Sequence, residues 1–158
     1  MIHYDSCMAI LLWLFVINLG IVFGAGLYEH RIVVPRWIDT HWLADAARLD
    51  DTGRRFWAFV STGPLTLLTL ANLVAAWRSG GSVRGWWLAA GLLALVERLI
   101  TFGYFIPVMI GLMGAADSPE SVAAATRWSN LSYLRHAIVL GAWLAALKAF
   151  AVFYETRG

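Results

Sequence analysis

The sequence has little charge and one cysteine, and these two scarcities exclude several classes of function. Charged residues make up 14 % of the 158 residues, and the net charge of +2 is too small and too dispersed to indicate a nucleic-acid partner. No run of Lys or Arg resembles a polybasic lipid-binding segment. Because Cys7 is the single cysteine, an intramolecular disulfide and a zinc-thiolate cluster are both excluded.

Apolar residues, by contrast, are in large excess. Hydrophobic residues make up 60 % of the chain and the mean hydropathy is +0.67, whereas soluble domains contain about 45 to 50 % apolar residues. The first residues, 1–5, lack the positive charge of a signal peptide, and no small-residue cleavage site follows the first apolar run. We therefore expect an integral membrane protein, most simply of a bacterial inner membrane, whose first apolar run is retained in the lipid bilayer.

Four apolar segments are long enough to cross a bilayer, which takes about 20 residues in a helix. They predict an all-α integral membrane fold, a four-transmembrane-helix bundle forming one domain over residues 1–158. An even number of spans places both termini on one side. The predicted spans are residues 8–28, 56–77, 86–113 and 128–153.

The side opposite the termini carries two longer connections, and we call it the long-loop side. In the first of them, residues 29–55, apolar residues recur with helical spacing at Ile38, Trp42, Ala46 and Leu49. The pattern predicts an interfacial helix lying on the membrane, and its role as a lid or as a simple connector stays open. Six arginines on this side against three on the other predict that the long-loop side is cytoplasmic.

Two charges, Glu97 and Arg98, lie in the middle of the third apolar run. A charged side chain at the centre of a spanning helix costs about 2.5 to 3.5 kcal/mol on insertion scales, so both must face protein or water. Thr101 and Tyr104 share the face of Glu97, at offsets of four and seven residues. On the first span, Asn18 is predicted to face inward together with Ala25 and Glu29.

These polar groups and those of the fourth span form the candidate site. A buried carboxylate beside a histidine can abstract a proton from a lipophilic carbon acid, and an arginine can stabilise the resulting anion. The candidate catalytic residues are Glu97, Tyr104, Arg135 and His136, and the candidate ligand-binding residues are Asn18, Trp42, Arg98 and Thr101. The alternative is structural: Glu97 pairs with Arg98 or with Arg135 and fixes the register of the helices.

Prolines and histidines leave two further questions open. Pro64 and Pro107 interrupt the second and third spans at similar depth, which predicts kinks that either widen the bundle or serve packing. A metal or haem site is a further alternative. Its candidate ligands, Glu29, His30, His41 and His136, fall on the long-loop side, but their spacing matches no ligand motif. We therefore expect no metal and no cofactor, with the histidines at the membrane interface.

The pattern resembles a family of small four-helix bacterial membrane proteins whose named relatives are the anthrone oxygenases of polyketide pathways. The resemblance implies a pocket for a lipophilic, including aromatic, molecule and cofactor-free oxygen chemistry. Met109 departs from it, because many such relatives have Asn soon after the third-helix proline. The residues that carry it are Gly24-Ala25-Gly26-Leu27-Tyr28-Glu29, Pro35, Thr101, Tyr104-Phe105-Ile106-Pro107, Trp128, Leu131 and Arg135.

Two hypotheses of function follow, and the sequence leaves open whether the protein is an enzyme. In the first, the chain is an oxidoreductase or oxygenase acting on a lipophilic small molecule in an intramembrane polar pocket. In the second, it is a non-catalytic structural or assembly subunit, whose partners are further copies of itself or other subunits of a larger membrane complex.

Overall fold

The computed structural model describes residues 2–39, 55–116 and 118–155, which are almost entirely helical and contain no strand. Helix α1 comprises Ile2–Tyr28, a π-helical turn at Glu29–Val33 and Val34–Asp39. Helix α2 comprises a π-helical turn at Trp57–Thr62 and Gly63–Arg78. Helix α3 comprises Gly81–Ile100, a π-helical turn at Thr101–Phe105 and Ile106–Gly114, and helix α4 is Pro119–Glu155.

The four helices pack in chain order around one bundle. Helix α1 packs on α2 and α4, and α3 packs on the same two helices from the opposite side. The core at mid-height is built from Phe15, Leu19, Leu65, Val139 and small residues of α3 and α4. The prediction of four helices is confirmed, and all four are long and apolar enough to cross a membrane.

The outer surface of the bundle is also apolar. Phe59 is 76 % exposed, Leu67 70 % and Trp77 68 %, and large exposed hydrophobic side chains occur on all four helices. Soluble monomers rarely expose apolar surface so extensively, whereas a surface that contacts lipid requires it. This surface suggests an integral membrane protein.

The helices extend further than the predicted spans. The predicted loop at residues 29–55 begins as helix, since α1 continues to Asp39, and the predicted loop at 114–127 is helical from Pro119 onward. Hydropathy marks the part of a helix that is apolar enough for lipid and not the helix ends. Ile38 is partly buried, but the rest of the predicted interfacial helix, including Trp42, lies outside the described residues.

Each of the three π turns ends two residues before a proline, namely Pro35, Pro64 and Pro107. The residue before each proline donates its N–H five residues back: Val34 to the carbonyl of Glu29, Gly63 to that of Ala58 and Ile106 to that of Thr101. A proline has no N–H and crowds the carbonyl four residues earlier, so a wider turn accommodates it. Where kinks were predicted at Pro64 and Pro107, α2 and α3 contain these π turns.

The inward face of α1 differs from the prediction by about one residue. Asn18, Ala25 and Glu29 are only partly buried, and the fully buried stripe runs through Phe15, Leu19, Val22, Gly26 and His30. Large apolar side chains gain more from burial than an amide or a carboxylate, and they occupy the core. On α4 the buried stripe runs through Trp128, Ser132, Val139, Ala142 and Ala146, and Arg135 on the same face is partly buried.

Candidate functional site

The two charges of α3 pair with each other inside the bundle. Glu97 is 1 % exposed and Arg98 is 3 % exposed. The Arg98 Nε donates to Glu97 Oε2 at 2.6 Å, and Nη2 lies 2.5 Å from the same oxygen. Of the two arginines considered as partners for Glu97, Arg98 is therefore the one that forms the ion pair. Both charges avoid the outer surface, as expected.

The other hydrogen bonds of Glu97 and Arg98 go to Thr101 and Ser61. The second oxygen of Glu97, Oε1, accepts the Thr101 hydroxyl at 2.7 Å. Arg98 Nη1 donates to the carbonyl and to Oγ of Ser61, at 3.3 and 3.2 Å, across to α2. Because a buried charge is costly unless it is paired and hydrogen-bonded, this closed network accounts for how both charges are tolerated.

The π turn of α2 also binds α1. Pro64 provides no N–H for the carbonyl of Val60, four residues earlier, and that carbonyl accepts Asn18 Nδ2 at 2.9 Å. Asn18, a candidate ligand-binding residue, therefore uses its amide nitrogen to join two helices. Its other amide atom, Oδ1, is buried without a hydrogen-bond partner in the described part of the chain.

A pair of histidines lies between α1 and α4. His30, in the π turn of α1, and His136 are 4 % and 6 % exposed, and their ring centroids are 5.4 Å apart. The ring of Tyr133 contacts His30 with a centroid distance of 4.1 Å. Both histidines pack inside the bundle, each against another ring, and their expected depth at the membrane interface stays a prediction.

His136 Nε2 has no hydrogen-bond partner among the described residues, although it is buried. Most buried polar atoms in native proteins are hydrogen-bonded, so such an atom needs an explanation. Three other atoms in the same ranges share this state: Asn18 Oδ1, Thr69 Oγ1 and Trp143 Nε1. Of the four residues, only histidine has a side-chain nitrogen that can accept a proton as a general base, which makes His136 the best candidate for chemistry.

Arg135 connects the histidines to the ion pair. Its guanidinium lies over the ring of Phe105, 4.6 Å from the centroid. It interacts electrostatically with Glu29, Glu97 and Arg98. Within residues 2–39, 55–116 and 118–155 it forms no hydrogen bond and no ion pair. The N–H groups of Arg135 thus have no hydrogen-bond acceptor in this part of the chain.

Of the two remaining predicted site residues, one packs in an apolar cluster and the other lies outside the described residues. Tyr104 is partly buried and packs edge-on against Phe105, with ring centroids 5.2 Å apart, in an apolar cluster with Val34 and Trp128. Trp42 and His41 lie outside the described residues. In the described ranges no three His, Cys, Asp or Glu side chains come together in a way that could hold a metal ion.

Sequence reasoning missed three residues that shape the site: Gly26, Ser61 and Phe105. Ser61 lies three residues before Pro64, at a position where a π turn exposes a carbonyl. Gly26 and His30 are four residues apart, a spacing that identifies one face of α1. The side chain of Phe105 is apolar, so the sequence gives no indication of a role in a polar site. Its carbonyl accepts the Trp128 indole N–H at 3.1 Å.

A second buried polar contact lies toward the other end of the bundle. Trp87 Nε1 donates to Asn72 Oδ1 at 2.9 Å, and Asn72 Nδ2 donates to the carbonyl of Leu68 at 2.8 Å. Trp87 and Asn72 are completely buried. Because the amide oxygen and amide nitrogen of Asn72 are both engaged, this contact joins α2 to α3 and offers no ligand site.

Comparison with protein-family models, with curated protein sequences and with solved structures finds no match to this chain. The resemblance to anthrone oxygenases stays a prediction, and the case for function is made from the geometry of the described residues.

Proposed function

We propose that the chain is an integral membrane protein of the bacterial inner membrane that binds a lipophilic small molecule near His136. The observation that carries the proposal is the buried, unpartnered Nε2 of His136 beside His30. A bound molecule with a polar atom would satisfy this nitrogen. The apolar cluster of Val34, Phe105 and Trp128, which meets the Arg135 guanidinium one residue along the chain, favours a molecule with an apolar body.

The reaction best suited to this arrangement is proton abstraction followed by oxidation with molecular oxygen. A neutral His136 imidazole accepts a proton from a CH₂ group activated by a neighbouring carbonyl and aromatic ring. The carbanion is oxidised by one O₂, so that the CH₂ becomes C=O and the second oxygen atom leaves as water. This chemistry agrees with the resemblance to anthrone oxygenases.

Glu97 is less suited than His136 to the role of base. Its two carboxylate oxygens are already engaged by Arg98 and Thr101. Neither oxygen is therefore free to contact a ligand without breaking one of these bonds. In this proposal Glu97 positions Arg98 and holds α3 to α2, while His136 contacts the ligand.

The second candidate function is that of a structural or assembly subunit. It is favoured by the closed Glu97–Arg98–Ser61 network, which resembles a device for fixing helix register. A partner would then be another copy of the chain or a different membrane subunit, bound through the exposed apolar surface.

Analysis of molecules that co-purify with the protein separates the two functions. The wild type, His136→Ala and Asn130→Ala are purified in mild detergent, and organic extracts are compared by mass spectrometry. Asn130 is an exposed residue of α4 and serves as the control. We expect one lipophilic compound in near-stoichiometric amount with the wild type and Asn130→Ala, and its loss with His136→Ala.

The same preparations test the reaction and the alternative. Oxygen uptake with an anthrone as substrate should be faster with the wild type and Asn130→Ala than with His136→Ala. A preparation that contains no compound, consumes no oxygen and carries other subunits in fixed stoichiometry would instead support the assembly role.

A further inference from the structure

Among residues 2–39, 55–116 and 118–155, the charges around the candidate site sum to a net positive charge. Glu97 is neutralised by Arg98, whose remaining donor atom binds Ser61. With both histidines neutral, the cluster has three arginines and two glutamates, which leaves one net positive charge. The charged members are Glu29, Arg31, Glu97, Arg98 and Arg135.

Arg135 is where that charge is best available to a ligand. The ring of Phe105, which is 3 % exposed, lies against the guanidinium. Stacking on an aromatic ring engages the face of a guanidinium, whereas its N–H groups point outward in its plane and bind oxygen anions. Arg135 directs none of these N–H groups to a partner in the described part of the chain.

The neighbouring residue supplies a second contact at the same height. His136 follows Arg135 directly, so both side chains leave α4 at one level, about 100° apart around the helix axis. The Nε2 of His136 and the Arg135 guanidinium, which both lack hydrogen-bond partners in the described part of the chain, thus lie at the same height on α4. One is a strong donor for anions, and the other can donate or accept a proton.

We infer that the ligand is a lipophilic acid whose ionised oxygen binds Arg135 and His136. Its aromatic body lies against the apolar cluster of Val34, Phe105 and Trp128. This inference rests on the proposed function and narrows its ligand to phenols, enols and carboxylic acids of low polarity. A neutral lipophile of equal size would add no negative charge beside the Arg135 guanidinium, which forms no ion pair with a described residue. A charged hydrogen bond would add to the affinity for the ionised molecule.

A matched pair of probes tests the inference. The acid is a 3-alkyl-2-hydroxy-1,4-naphthoquinone, which is an anion at neutral pH, and the control is its 2-methoxy ether, which is neutral and similar in size. Binding to detergent-purified protein is followed by quenching of tryptophan fluorescence, since the chain has nine tryptophans. We expect the acid to bind about 10- to 100-fold more tightly than the ether to the wild type.

Variants then show whether Arg135 is responsible. Arg135→Gln should lose most of the preference for the acid with little change in affinity for the ether, and Arg135→Lys should retain part of it. Arg127→Gln removes an exposed arginine from the same helix and should leave the preference unchanged. Thermal unfolding of each variant confirms that the comparison is made between folded proteins.

The outcomes distinguish this inference from the proposed function. Equal binding of acid and ether to the wild type would overturn the inference and leave a binding site for neutral lipophiles. Binding of neither probe to folded wild type would overturn both for this class of molecule. A preference for the acid that persists in Arg135→Gln would also overturn the inference.

An acidic lipid headgroup is a second source of the same chemistry. Repeating the measurement in nanodiscs of phosphatidylcholine alone and of phosphatidylcholine with phosphatidylglycerol separates the two sources. Loss of acid binding only with phosphatidylglycerol, and only when Arg135 is present, would identify an anionic lipid as the occupant. Unchanged acid binding would identify the free acid.

Discussion

The imidazole of His136 lies so close to the backbone of Gly26 that a Cβ added at residue 26 would be 2.6 Å from Cε1. Gly24, two residues earlier on α1, would meet no atom within 4 Å. The two glycines of this helix end therefore have different roles. Gly26 provides the space for His136, and Gly24 lies on the exposed surface.

We predict that Gly26→Ala displaces His136 and that Gly24→Ala does not. Overpacking a filled interior costs about 1 to 3 kcal/mol, so Gly26→Ala should lower the midpoint of thermal unfolding and weaken ligand binding. Gly24→Ala should be neutral or slightly stabilising, because alanine is the better helix former. Equal ligand affinity in both variants would show that the position of His136 is unimportant.

The second prediction concerns the link between Pro64 and Asn18. Pro64→Ala introduces an N–H that can bind the carbonyl of Val60, which now accepts Asn18 Nδ2. Asn18→Ala should therefore destabilise the wild type by about 0.5 to 1.5 kcal/mol and the Pro64→Ala protein by less. A double-mutant cycle of unfolding free energies in detergent measures this coupling.

The same cycle with Pro107→Ala serves as the control. Pro107 interrupts α3, and the Asn18 amide binds the carbonyl of Val60 in α2, so Asn18 and Pro107 should behave additively. Coupling of Asn18 to both prolines would instead indicate a general loosening of the bundle.

The architecture could be predicted because spanning a membrane has a strong sequence signal. Long apolar segments and the depth of Glu97 were enough to predict four helices and buried charges. Helical periodicity alone does not decide whether Glu97 pairs with Arg98 or with Arg135. Adjacent residues leave a helix about 100° apart, and only the flexible side chain of Arg98 allows it to turn back to Glu97.

Other parts of the site depended on backbone detail without a simple pattern. A proline indicates a disturbed helix, but it does not indicate which side chains donate to the carbonyls of the wider turn. Here those donors come from Asn18 and Arg98, which are distant in sequence from α2. The burial of His30 could not be predicted either, because it depends on the rings of Tyr133 and His136, which pack against it from α4.

The third prediction uses the Asn72–Trp87 contact to separate stability from function. Asn72→Leu leaves the completely buried Trp87 N–H without its acceptor, which should cost about 1 to 3 kcal/mol of unfolding free energy. Adding Trp87→Phe removes the stranded donor and should recover part of that loss. Under conditions in which both variants are fully folded, their ligand affinity should equal that of the wild type. A marked loss of affinity would show that this contact influences the site from a distance.

The last prediction concerns Glu97 and its two kinds of partner. Glu97→Gln retains an acceptor for Thr101 but leaves the Arg98 charge unpaired in the interior, and breaking a buried pair from one side costs about 3 to 5 kcal/mol. Replacing both residues, as in Glu97→Leu with Arg98→Met, removes both charges and should recover much of the stability. Glu155→Gln, at an exposed position in the last turn of α4, is the control and should unfold like the wild type. Denaturant unfolding in detergent measures the four free energies. A Glu97→Gln protein that folds as stably as the wild type but loses ligand would show instead that Glu97 contacts the ligand, and the role of base would then have to be divided between Glu97 and His136.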